Sequence, residues 1–198
     1  MKKILVPILF CLVITVSATA AALISDSSAL QTRLVRLHVV ANSDSQQDQD
    51  IKLKVRDAVL GSIRQGMESA ADAQEAREYL IKQIPKIEEA ANRCLKALGC
   101  QDTVSVSLCR EAFDKRIYDT FSLPAGFYQA LRVTIGEGKG HNWWCVAFPE
   151  LCLPAVSRDV EAVAADAGLS QGLARTITGK YELRFYLLDL LGKWQTGR

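Results

Sequence analysis

Lys2 and Lys3 are followed by no charged residue until Asp26, and this stretch constrains everything after it. Ile4 to Ile14 is almost wholly apolar, and small residues dominate from Thr15 to Ala22. A basic start, an apolar run and an Ala18-Thr19-Ala20 cleavage site form the pattern of a secretory signal. A core helix of a soluble domain would carry a polar face, and residues 4–25 offer none. The strongly apolar part is short and contains Pro7, so residues 1–20 read as a cleaved signal. Left uncleaved, the segment to about residue 25 is long enough to anchor in a bilayer. Residues 21–32 then read as a tether and residues 33–194 as one domain.

Export changes the charge and the cysteine chemistry. The chain carries 24 Lys and Arg against 22 Asp and Glu, and removing Lys2 and Lys3 leaves the two signs equal. No basic stripe remains, which argues against nucleic acid as a partner. Cys11 belongs to the signal, leaving Cys94, Cys100, Cys109, Cys145 and Cys152. In an oxidising compartment cysteines persist mainly as disulfides, and an odd number leaves one thiol over. Cys145 and Cys152 are the best candidate pair, because Pro149 lets the short segment between them turn back. Such a loop would stabilise by roughly 2–3 kcal/mol. Other connectivities remain open, and no CxxC spacing points to zinc or thioredoxin-like chemistry.

The rest of the chain reads as an α+β domain. Val35, Leu37 and Val39 alternate with Arg36 and His38, predicting a half-buried strand. Ala41-Asn42-Ser43-Asp44-Ser45 follows as a loop and helix cap. Ile51, Val55, Ala58, Val59 and Ile63 then recur at helical spacing, with Asp48 and Asp50 at the positive end and Gly66 after it. A long second helix is predicted over 71–98, kinked or restarted at Pro85 and stopped by Gly99. Strands are predicted over 103–109, 128–135 and 142–148, joined without long helices and so arranged as an antiparallel meander. A helix over 156–167, a short strand over 181–186 and a last helix to Trp194 complete the expectation.

Few residues suggest catalysis. The run Gly136-Glu137-Gly138-Lys139-Gly140 precedes a strand instead of a helix, so it reads as a hairpin turn and not a phosphate loop. His38 and His141 lie too far apart for local metal-ligand spacing, and no cofactor is expected. Cys145 sits between Trp144 and Val146, an apolar setting unsuited to a nucleophilic thiolate. Asp44, Asp48 and Asp50 are explained by capping, although a loop on a rigid strand–helix unit is also a natural recognition surface. Trp143 and Trp144 must point to opposite faces of their strand, so at least one is a candidate interface anchor.

Two stretches carry a resemblance. One is Leu37-His38-Val39-Val40-Ala41-Asn42-Ser43-Asp44-Ser45 with Asp48-Gln49 and Lys54 to Val59. The other runs from Leu123-Pro124-Ala125-Gly126-Phe127-Tyr128 through Gly136-Glu137-Gly138 and Asn142-Trp143-Trp144-Cys145 to Phe148-Pro149-Glu150-Leu151-Cys152. In order and spacing they resemble the stage II sporulation protein R family of endospore-forming Firmicutes, with Ala147 and Glu150 departing from its pattern. The resemblance implies a protein made in the forespore and secreted into the space between the two sporulating compartments. There it would activate a membrane-embedded aspartic protease, the sigma-E factor processing peptidase, without being an enzyme itself. It would meet the membrane only through its N-terminal signal or anchor. The candidate contact surface is Asn42, Ser43, Asp44 and Asp48 with Gly138, Asn142 and Trp143. The alternative is a secreted or anchored cell-envelope hydrolase using the acidic loop.

Overall fold

A computed structural model of the chain describes residues 2–149, 151, 160–179 and 182–197. The apolar start forms helix α1, Lys2–Arg33, with Ile4, Phe10, Leu12, Val16 and Ile24 among its exposed side chains and Leu23 partly buried against the domain. Its last turns are not a tether. Residues 21–32 are helical, Leu30 is buried in the domain, and Asp26 forms an ion pair with Arg184. The polar letters misled because they are the side chains that this amphipathic end uses to dock.

The next elements follow local signals closely. Strand β1 is Val35–Val40, and helix α2, Gln46–Ser69, starts where the Ser45 hydroxyl accepts from the Asp48 N–H. Helix α3, Ala73–Ala97, is capped by the Asp72 carboxylate, which accepts from Gln74 and Glu75 N–H at 2.8 and 2.9 Å. It continues through Pro85 and ends at Leu98, before Gly99 turns the chain at φ +70°. Gly66 lies inside α2 instead of ending it, because the Tyr79 ring rests where a Cβ would stand.

Strands β2 (Val104–Phe113), β5 (Gly126–Ile135) and β6 (Asn142–Phe148) join β1 in one sheet of order β2-β5-β1-β6, with β3 (Arg116–Ile117) and β4 (Ser122–Leu123) forming a small separate pair. The sheet is mixed, not a simple antiparallel meander. β1 runs parallel to β5 and antiparallel to β6, so it lies between two strands that are consecutive in sequence. Residues 136–141 are therefore no hairpin turn; they cross over the end of β1. β1 is paired on both edges and its sheet is covered by helices on both faces, so all six of its residues are buried, Arg36 and His38 included.

Helices cover both faces. On one side α2 and α3 pack Val55, Val59, Ile63, Leu80, Ile87 and Leu95 against Leu37, Val39, Leu131 and Val133. Each fully buried leucine or isoleucine there contributes roughly 2–3 kcal/mol of transfer free energy. On the other side the end of α1 joins α4 (Val160–Asp166), α5 (Gln171–Ile177) and α6 (Glu182–Thr196) around Leu30, Phe113, Leu123, Tyr128, Val146 and Leu188. Residues 182–186 begin α6 and are not a strand. Leu188, Asp189 and Gly192 are buried at helical spacing, and that face fixes the element. The helix expected over 156–167 is seen as α4, its first four residues lying outside the described ones, and α5 was not expected.

Candidate functional site

The loop after β1 and the crossover after β5 form one platform. The Asn42 side-chain oxygen accepts from Glu137 N–H at 2.9 Å, and the Asn42 carbonyl accepts from Lys139 N–H at 3.1 Å. Gly140 N–H donates to the Ala41 carbonyl at 3.0 Å. Asp48, in the first turn of α2, accepts from the Ser43 hydroxyl at 2.5 Å and from the Asn42 amide at 3.2 Å. It therefore orients both neighbours and is spent in doing so. Asp44 lies further out, with a side chain 54% exposed. One of its oxygens accepts from the His141 N–H at 2.5 Å and faces the His141 Nδ1 at 2.5 Å. Those contacts, the backbone hydrogen bond first, hold the Asp44 carboxyl below its ordinary range.

Lys52 clamps the platform from beneath. The residue is 6% exposed, and its ammonium donates to the His141 carbonyl at 3.0 Å and to the Gln49 side-chain oxygen. Burial pushes its pKa down, and the nearby Asp44 charge works against that. Sequence reasoning missed this residue. Its signal was a lysine beside Ile51 and Val55 on the apolar stripe of α2.

The structure thus brings Asn42, Ser43, Asp44, Asp48 and Gly138 together, with Asn142 opening β6 beside them, opposite Val40. Trp143 is half-buried toward α2, its ring covered by the Arg56 guanidinium at 4.3 Å. Its indole Nε1 is buried and has no hydrogen-bond partner among the described residues. Trp144 faces the other side, stacked on His38 at 5.6 Å beneath Arg116 at 3.6 Å. Cys145 takes part in a disulfide, whereas Cys94, Cys100 and Cys109 are free thiols; Cys152 lies outside the described residues. Among the described residues no group of three His, Cys, Asp or Glu is placed to hold a metal.

A second polar cluster lies on the opposite face of the sheet. Glu111 meets His38 Nδ1 at 2.7 Å and accepts from Arg132 at 3.1 Å and from the Cys109 thiol at 3.3 Å. Burial works to raise its pKa, but hydrogen bonding and charge from His38, with Cys109 and Arg132, hold it at about 2. A carboxylate depressed in the folded state contributes stability above its unfolded pKa and loses it as pH falls. A shift of that size corresponds to about 3 kcal/mol, lost as pH falls from about 4.5 to about 2. Urea unfolding between pH 7 and pH 2 should show this loss in the wild type and a much flatter profile in Glu111→Gln.

The fold and the platform together define a small α+β domain, led by an apolar helix, that presents two joined loops at the end of its central strand. The model of the stage II sporulation protein R family matches residues 31–158, and the chain belongs to that family. Stage II sporulation protein R of Bacillus subtilis (strain 168) is 38% identical over 118 residues, covering 60% of this chain. The match spans about half (53%) of the length of that relative. No solved structure matches the chain. Membership supports a role in sporulation, and helix α1, long and apolar enough to cross a membrane, is compatible with a signal or an anchor.

Proposed function

We propose that this chain is an exported sporulation signal that activates the membrane-embedded protease processing pro-sigma-E in the mother cell. It leaves the forespore through its N-terminal helix and acts in the space between the two compartments. The domain binds the extracytoplasmic face of the protease and favours its active state, which requires a higher affinity for that state than for the inactive one.

The observation that carries this reading is the platform. The two stretches that resemble the family lie about a hundred residues apart, and they are knitted by hydrogen bonds into one partly exposed surface. Asp48 and Lys52 are committed to holding that surface, while the Asp44–His141 pair stays exposed and Trp143, under Arg56, is half-buried beside it. Loops fixed in this way on a rigid strand–helix unit recognise partners with little ordering cost. Substituting Asp44→Ala or Trp143→Ala is expected to abolish pro-sigma-E processing during sporulation while export continues. Immunoblots of processed sigma-E and of the exported chain read both quantities. Normal processing by both variants would remove the platform from the contact surface.

A further inference from the structure

Orphaned polar atoms gather at one place in this domain. Buried side-chain nitrogens without a hydrogen-bond partner include Nε and one terminal nitrogen of Arg36, Nε2 of His38 and Nε of Arg116. The His38 ring links them, touching both Phe113, over which Arg36 lies, and Trp144, over which Arg116 lies. The Arg36 guanidinium lies 4.0 Å from the Phe113 centroid, and the His38 ring lies 6.0 Å from it. His38 stacks on Trp144, and Arg116 covers that ring from 3.6 Å.

Arg36 is completely buried, and among the described residues its guanidinium makes one hydrogen bond, to the Tyr118 hydroxyl at 2.6 Å. Burial pushes its pKa down, with Arg116 adding repulsion. Among the described residues no carboxylate pairs with Arg36 or Arg116. The nearby acid, Glu111, is already engaged by His38, Arg132 and Cys109. A buried, uncompensated cation is among the costliest features a fold can keep. Aromatic faces offset part of that cost but leave the N–H donors empty.

We propose that Arg36, Arg116 and His38 form a binding site for a carboxylate, entered from the half-buried edge marked by Arg116 and Tyr118. A carboxylate fits because it is planar, brings one negative charge and accepts from two guanidinium N–H groups at once. The site lies on the opposite face from Trp143 and stands independently of the activation reading.

The test uses the full chain in uncharged detergent, titrated with sodium acetate at constant ionic strength. The arginine Nε–H resonances of Arg36 and Arg116 are followed by NMR, together with the thermal midpoint. The proposal expects saturable shifts, with the apparent Kd raised about tenfold or more in Arg116→Gln. Arg36→Met should be at least as stable as the wild type without acetate and should show no acetate response. A capped glutamate in place of acetate separates the sources. Tighter binding than acetate assigns an acidic protein side chain, and equal binding assigns a free ion. Shifts that grow linearly, or that are the same in wild type and Arg116→Gln, overturn the proposal. No response in the wild type also overturns it, as expected of a chain that supplies its own counter-charge. Should Arg36→Met fail to fold, the half-buried Arg116→Gln still decides.

Discussion

Gly140→Ala is expected to pull the platform apart and abolish signalling. A Cβ at this position would stand 2.1 Å from the Ser43 carbonyl oxygen and 2.5 Å from its carbon. Both atoms are backbone, so no side-chain rotation relieves the clash. The crossover must lift away, breaking the bond from Gly140 N–H to Ala41 and moving His141 off Asp44. Overpacking of this kind costs roughly 1–3 kcal/mol. The domain should survive that, because both helix-covered cores lie elsewhere. Urea unfolding would show the modest loss, while processing of pro-sigma-E in sporulating cells should fall to background. Gly61→Ala is the matched control. Its Cβ meets nothing within 4 Å in the middle of α2, so alanine should stabilise by about 0.5–1 kcal/mol and leave signalling intact.

Gly192→Ala should have the larger effect on the fold itself. The helix α6 approaches the chain before β5 so closely that a Cβ would lie 1.6 Å from the Ala125 carbonyl oxygen. One turn earlier on the same face, buried Asp189 accepts from the Ala125 N–H at 3.0 Å, and Lys193 pairs with its other oxygen at 3.0 Å. Glycine and aspartate together dock α6 on backbone, and alanine forces the helix off both contacts. The expected loss is about 3 kcal/mol or more, concentrated in the second core around Leu188 and Leu123. Hydrogen exchange should reveal it: amides of α6 and the start of β5 lose protection, whereas α2 and α3 keep theirs.

Local chemistry was legible wherever one element decides its own shape. Ser45 marks the start of α2, Gly99 follows the end of α3, and the alternation over 142–148 matches β6. Long-range pairing was not legible. Arg36 and His38 look like a wet strand face because nothing in β1 announces that Phe113 and Trp144 will close over them. The glycine run looked like a hairpin because the strand it crosses, β1, lies far back in the sequence. Alternation at the start of α6 imitated a strand, and only the backbone contact at Gly192 shows why helix wins. Of the platform, the loop residues and the crossover were both legible as candidates. Their joining through Asn42, and the clamp by Lys52, depend on tertiary structure alone.

Reconstitution tests the central claim most directly. The chain, the processing protease and pro-sigma-E are expressed together in a host that does not sporulate, with the chain directed to the extracytoplasmic side. The account predicts that pro-sigma-E is cleaved only when this chain is present and exported. Cleavage without it, or no cleavage despite the exported chain and an intact protease, would contradict the account.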